Sequence, residues 1–165
     1  LNLRGAFPNS RISSLACFTA YPANLLSLSV AIADSLTAQD LLLLPRSLTS
    51  LQIELGPQAE YDPTTTSFDV FPRGLQILHI VKPPSFGNSQ AMRGTTGSKG
   101  AVEIAFTNLP PVLESLKLNL AKITIDAVPH LPNTLRSLEV AIGSPVKLQD
   151  LRDALPHCNL VNFIK

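Results

Sequence analysis

The side chains that most often carry out chemistry are few in this chain and are scattered along it. The three histidines are His79, His130 and His157, and the two cysteines are Cys17 and Cys158. No His-x-x-x-His or Cys-x-x-Cys spacing occurs, so the pattern predicts no metal site. Nothing in the spacing brings a serine, a histidine and a carboxylate together for nucleophilic catalysis. We therefore expect a protein that is not an enzyme, with no catalytic residues, no metal and no cofactor.

One segment has the composition of a phosphate-binding loop. Residues 93–100 read Arg-Gly-Thr-Thr-Gly-Ser-Lys-Gly. A phosphate cradle follows a strand and has glycines at fixed spacing, and this segment has neither. We interpret it as part of a loop.

Composition narrows the classes of partner. Hydrophobic residues make up 45% of the 165 residues, charged residues 15%, and the net charge is +1. Because positive and negative charges nearly cancel, and because there is no basic stripe and no tryptophan, we do not expect the chain to bind nucleic acid. No apolar run reaches the roughly 18–20 residues that span a membrane, so we expect no membrane span. Two cysteines are too few for the capping disulfides of many secreted scaffolds, which favours a cytoplasmic location.

A proline-led repeat organises the chain. Five prolines are each followed by apolar residues 3, 6, 8 and 10 positions later, with Lys82 as the one exception. They are Pro22, Pro45, Pro72, Pro110 and Pro132. The steps of two predict strand alternation, with one side chain pointing in and the next out. Proline suits the corner before a strand because it fixes φ and donates no hydrogen bond. Stacked in parallel at about 4.8 Å, such units close a continuous core.

The spacing of the prolines sets the domain organisation. Prolines at 22, 45, 72, 110 and 132 are 23, 27, 38 and 22 residues apart. The value of 38 indicates an insertion at about 83–100, rich in glycine, proline and serine, which we expect to be mobile and to project from the edge. Leu1 and Leu3 match the strand positions, so the chain is predicted to start inside a strand. We expect residues 1–165 to be a single domain cut from a longer array.

The segments that return the chain to the next strand are predicted to differ in kind. Residues 144–155 have helical apolar spacing, with Ser144 as N-cap and Pro145 at the first position. Residues 34–44 and 9–18 are further helix candidates, and 61–71 is predicted to hold an irregular turn. The predicted fold class is α/β, with about seven parallel strands on a concave face and mixed helices and loops on the convex side.

The Leu-Pro-x-x-Leu-x-x-Leu-x-Leu pattern resembles leucine-rich repeats of the type found in enterobacterial effectors and in the FNIP repeats of amoebae. Residues 109–116 and 131–138 are the closest matches. Residues 151–163 are similar instead to the ribonuclease-inhibitor or F-box class. The resemblance covers nearly the whole chain and implies a leucine-rich-repeat solenoid that serves as a protein-binding scaffold.

The chain departs from these families in two ways. Leucine-rich repeats usually place an asparagine three residues after the second strand leucine, and this chain does not. The residues at that place are Ala33, Gly56, Pro83, Ala121 and Gly143. The Phe-Asn pair of FNIP repeats is also missing. Subfamily-specific functions are therefore not carried over.

The outward strand residues of a solenoid form its usual binding surface. Our hypothesis is a partner-contacting patch of mixed polar and charged side chains. Its residues are Gln52, Glu54, His79, Lys117, Asn119 and Glu139. The alternative is an ordinary solvated sheet face. A regular row of serines, at 27, 50, 115 and 137, is better explained by the need for small polar residues at a tight strand entry.

The leading hypothesis for function is a non-catalytic interaction scaffold that binds a protein on its concave face. It would serve as the substrate-recognition part of an adaptor or ubiquitin-ligase protein. The alternative is a surface or secreted repeat protein that binds a glycan or a host ligand. A deep pocket with converging polar groups would instead favour an enzyme.

Overall fold

The computed structural model describes residues 15, 21–56, 59, 68–82, 102–104, 106, 108–142 and 146–160. Strands alternate with short helices, which is an α/β arrangement. The strands are β1 (Ser27–Ile32), β2 (Ser50–Leu55), β3 (Ile77–Val81), β4 (Val102–Ile104), β5 (Ser115–Ile123), β6 (Ser137–Ile142) and β7 (Asn159–Leu160). The α-helices are α1 (Ala38–Leu42) and α2 (Leu148–Ala154), and the 3-10 helices are Phe68–Val70 and Ile125–His130.

The strands form one parallel sheet in chain order. The order is β1-β2-β3-β5-β6-β7, and β4 pairs with β5 outside that path. Five strands have five to nine residues, whereas β4 has three and β7 has two. Apart from β4, the strands thus lie side by side in the order in which they follow one another along the chain.

The corner before each of the five longer strands has the same hydrogen bond. The carbonyl of the corner proline accepts from the backbone N–H three residues later, at 3.0–3.1 Å. The pairs are Pro22–Leu25, Pro45–Leu48, Pro72–Leu75, Pro110–Leu113 and Pro132–Leu135. Proline fits this turn because its fixed φ favours the turn and its missing N–H is not needed. The spacing of the prolines therefore predicted the five corners correctly.

The core lies on the inner face of the sheet. The leucines three residues after the prolines are buried, as are the apolar residues six and eight residues after them. Leu116 and Leu138 are both fully buried, which confirms the predicted inward register. Within the core, the Phe68 ring packs against the rings of Phe71 and Phe106, with centroid distances of 5.8 and 5.6 Å.

The predicted register is wrong at the end of β5. Leu118 pairs with Val140, but the next paired residue of β5 is Lys122, opposite Ala141, so the strand bulges between them. Ile123, not Leu120, therefore lies opposite Ile142, and Ile123 is fully buried. The sequence has apolar residues at both 120 and 123, and the repeat pattern predicted that residue 120 would lie opposite Ile142.

Strand β4, which the repeat pattern did not predict, explains this bulge. β3 pairs with β5 from Ser115 to Leu118, and β4 pairs with β5 from Ala121 to Ile123. At its carboxyl end, β5 therefore has β4 as its neighbour in place of β3. The end of β5 pairs with a segment that follows the insertion, so it is not held to the offset of the other repeats.

Both α-helices are shorter than predicted. α1 lies inside 34–44 and is capped by Thr37, whose Oγ1 accepts from the Asp40 N–H at 3.2 Å, while the Asp40 carboxylate accepts from the Thr37 N–H at 2.9 Å. The predicted N-cap Ser144 is wrong, because the cap of α2 is Lys147, whose N–H donates to the Asp150 carboxylate at 2.8 Å. The carboxylate three residues after the cap decides the start of both helices.

Some predictions fall outside the described residues. They are the strand at Leu1 and Leu3, the insertion at 83–100, and the helix candidate at 9–18 except for Leu15, which is buried. In the region predicted to be an irregular turn, residues 61–71, the structure has the 3-10 helix at 68–70. Over the described part of the chain, no helix has both the length and the apolar character to cross a membrane.

Candidate functional site

Five polar residues at equivalent strand positions form one line across the sheet, and the first of them, Ser29, is buried. Ser29 lies opposite Gln52, Gln52 opposite His79, His79 opposite Lys117, and Lys117 opposite Glu139. We call these five residues the outer row. They occupy the seventh position after each corner proline, so the sequence predicted their alignment correctly.

An ion pair lies at the β5–β6 end of the outer row. The Lys117 ammonium nitrogen is 2.8 Å from a carboxylate oxygen of Glu139. The two side chains are 37% and 22% exposed, so the pair is less screened by solvent than one on an open surface. A partner that covers this part of the sheet would bury both charges together.

His79 lies in the middle of the outer row and bonds to a serine of the next strand. Its Nε2 is 2.8 Å from Ser115 Oγ. Burial lowers the pKa of His79 below its ordinary value, and the positive charge of Lys117 lowers it further, whereas Glu139 acts in the opposite direction. His79 is therefore a neutral, half-buried side chain at neutral pH.

The serine row is also aligned in the sheet. Ser27 lies opposite Ser50, and Ser115 lies opposite Ser137, with Ile77 of β3 between the two pairs. Ser115 has a specific contact with His79, which the prediction of a merely small polar residue missed. The sequence could have indicated this contact. Ser115 lies two residues before Lys117, on the same face of β5, and Lys117 lies opposite His79.

Asn119 differs from the rest of the predicted patch. Its side-chain oxygen accepts from the Lys82 N–H at 2.9 Å, and its side-chain NH₂ donates to the Lys82 carbonyl at 2.7 Å. The amide thus takes the place of a neighbouring strand's backbone where β3 ends. Asn119 contributes to the site by holding β3 in position, with its amide group occupied inside the chain.

The offset of nine residues after the prolines predicts a second row on the same face, and this row is only partly in register. Ala31 lies opposite Glu54, and Glu54 opposite Val81. Ala141 lies opposite Lys122, and not opposite Asn119 as the offset predicts, because β5 bulges before Lys122. Glu54 is half-buried on the same face as the outer row. The structure therefore brings Gln52, His79, Lys117 and Glu139 into one line, with Glu54 beside it.

Hydroxyl groups connect successive corners, which the repeat pattern did not predict. Ser47 Oγ donates to the Leu25 carbonyl at 2.8 Å, and Thr134 Oγ1 donates to the Leu113 carbonyl at 2.7 Å. Both donors stand two residues after a corner proline. The repeated position of a hydroxyl could have indicated these bonds.

The described residues offer little for catalysis or metal binding. Among them, no group of three or more histidine, cysteine, aspartate or glutamate side chains could hold a metal ion. A hollow of about 200 Å³ lies between Asn133, Leu135 and residues 154–157. It is smaller than the roughly 300–1,000 Å³ of typical ligand sites, and its lining is mostly apolar. The outer row is the stronger candidate site.

Comparisons of the chain with protein-family models, with curated proteins and with solved structures find no match. The candidate site therefore rests on the geometry of the chain itself.

Proposed function

We propose that this protein is a leucine-rich-repeat solenoid that acts as a non-catalytic scaffold and binds a protein partner on the outward face of its sheet. The observation that carries the proposal is the outer row, in which Gln52, His79, Lys117 and Glu139 lie on adjacent strands in one register. A line of side chains spread over four adjacent strands suits a protein partner better than a small substrate, which needs an enclosed pocket.

The repeated backbone supports the solenoid part of the proposal. Five corners have the same proline-led turn, and the strands they lead into stack in chain order with parallel register. In a solenoid each unit contacts its neighbours and the outward strand positions become a continuous surface. The resemblance of the Leu-Pro-x-x-Leu pattern to leucine-rich repeats points the same way.

The chemistry of the face favours a protein partner over the alternative of a glycan. The outer row and Glu54 combine both signs of charge with amide and imidazole groups, which match the side chains of another protein. Sugar rings usually stack on aromatic side chains, and the chain has no tryptophan. Complementary charges of this kind determine specificity and orientation more than affinity.

The experiment is a capture assay with the folded chain as bait, using extract from the source cells and quantitative mass spectrometry. The test variant reverses three charges of the face together, Glu54→Lys, Lys117→Glu and Glu139→Lys. The matched control reverses two exposed charges of α2, Arg152→Glu and Asp153→Lys. The proposal expects a protein that wild type and control retain equally and that the triple variant loses.

Two results would contradict the proposal. Equal capture by the triple variant would exclude the face as the binding surface, and loss of capture by the α2 control alone would place binding on the other side. Binding of the wild-type chain to a glycan array, lost in the triple variant, would favour the glycan alternative instead.

The finer proposal is that the chain is the substrate-recognition part of an adaptor or ubiquitin-ligase protein. It rests on the resemblance of α2, the following corner and β7 to F-box-associated repeats. Ligase subunits co-isolated with the full-length protein would support it. A full-length protein that neither associates with a ligase nor promotes ubiquitination of the captured partner would contradict it.

A further inference from the structure

The ion pair and the histidine of the outer row are neighbours on three consecutive strands. His79 on β3, Lys117 on β5 and Glu139 on β6 share one register position. Lys117 therefore stands between a carboxylate, to which it bonds at 2.8 Å, and an imidazole that is able to take up a proton.

The imidazole of His79 is held in place by a bond that survives protonation. Its Nε2 lies 2.8 Å from Ser115 Oγ. A hydroxyl can donate to a neutral ring nitrogen or accept from a protonated one, so Ser115 turns its proton and the ring keeps its position. A charge on His79 would therefore remain beside Lys117.

We infer that protonation of His79 opens the Lys117–Glu139 ion pair, so that acidification changes the surface that the outer row presents. The cause is repulsion between two cations on neighbouring strands, together with attraction of Glu139 towards the new charge. The other charged residues at these register positions are Glu54 on β2 and, at the carboxyl end of β5, Lys122, which pairs with Glu103 of β4, whereas Gln52, Ser115 and Asn119 are uncharged. This inference concerns regulation of the face and rests on the proposed function for its biological meaning.

The electrostatics of the free chain agree with this coupling. The Lys117 charge lowers the pKa of His79 and the Glu139 charge raises it, after the larger effect of burial. Because coupling is reciprocal, a proton on His79 must act on Lys117 and Glu139 in return.

The test is an NMR titration of the isotope-labelled full chain from pH 7.5 to 5, following the His79 ring and the Glu139 side-chain carboxyl carbon. In the wild type, the Glu139 resonance should move at the midpoint of His79, towards its position in the Lys117→Met variant, where the pair is absent. Lys117→Met should raise the His79 midpoint and Glu139→Gln should lower it. Glu54→Gln is the control and should leave the midpoint unchanged.

The inference is overturned if the Glu139 resonance does not move at the His79 midpoint, or if it still does so in His79→Gln. It is also overturned if Glu54→Gln shifts the His79 midpoint as much as Glu139→Gln does. Amide spectra at each pH verify that the variants are folded. Since no partner is present, failure here is separate from failure of the capture assay.

Discussion

Thr134 Oγ1 donates a hydrogen bond of 2.7 Å to the carbonyl oxygen of Leu113, and so connects the corners before β6 and β5. Ser47 makes the same bond to Leu25 at 2.8 Å. Both bonds lie at the corner before a strand, where each hydroxyl satisfies a backbone carbonyl of the preceding corner. A hydroxyl two residues after the corner proline therefore helps to hold successive corners together.

Gly74 stands at the equivalent position of the repeat led by Pro72 and has no hydroxyl to donate. A Cβ added there would meet no atom within 4 Å. Gly74→Ala should stabilise the chain by about 0.4–1 kcal/mol by restricting the unfolded state. Gly74→Ser should give a further gain of about 0.5–1.5 kcal/mol by donating to the Leu48 carbonyl. Urea denaturation of both variants measures the difference, and a serine variant no more stable than the alanine variant would contradict this role.

Leu116 should contribute strongly to stability, because it is a central residue of the core. It is fully buried in the middle of the sheet. Leu116→Ala should lower the free energy of unfolding by about 2–5 kcal/mol, since it leaves a cavity between strands. The control is the outward Ser137→Ala, expected to change stability by less than about 0.5 kcal/mol. Similar effects of the two substitutions in chemical denaturation would mean that the inward and outward assignment is wrong.

Asn119 is predicted to act on stability through Lys82. Asn119→Ala removes both hydrogen bonds to the Lys82 backbone and should cost about 1–3 kcal/mol. Asn119→Asp keeps the acceptor for the Lys82 N–H but places a carboxylate against the Lys82 carbonyl, so it should also destabilise the chain. Thermal denaturation reports both effects. Unchanged stability in both variants would mean that Asn119 serves the surface instead.

The lowered pKa of His79 should make the free energy of unfolding depend on pH. Its pKa is lowered in the folded chain by burial, so the unfolded chain, in which histidine titrates near 6.5, takes up the proton first as pH falls. The stabilisation from neutral His79 is therefore complete above about pH 6.5 and is lost as pH falls below it. His79→Gln should flatten the curve of unfolding free energy against pH between 7.5 and 5.5. Parallel curves for wild type and variant would exclude this contribution.

The sequence predicted most of the sheet because the repeat signal is local. Each corner proline fixes the turn beside it, and the apolar residues at fixed offsets then assign inner and outer faces. The alignment of Gln52, His79 and Lys117 follows from those offsets alone. Burial of Leu116 and Leu138 follows in the same way.

The structure differs from the prediction where the deciding contact is absent from the repeat pattern. The bulge in β5 follows from the pairing of Ala121–Ile123 with β4, which comes from the far side of the insertion. The two bonds of Asn119 to Lys82 join residues 37 positions apart. At α2, the bond between Lys147 and Asp150 outweighs the proline signal at residue 145. The partner-binding role of the outer row stays a prediction.

Thiol footprinting with the captured partner shows directly whether the outer row lies in the interface. Single cysteines would be introduced into a chain that carries Cys17→Ser and Cys158→Ser. The positions are outward Lys117→Cys, inward Val140→Cys and, on α2, Asp153→Cys. In the free chain, the cysteines at 117 and 153 should react quickly with a maleimide and that at 140 slowly. With partner bound, we expect protection at 117 and an unchanged rate at 153; protection at 153 with none at 117 would contradict binding on the outer row.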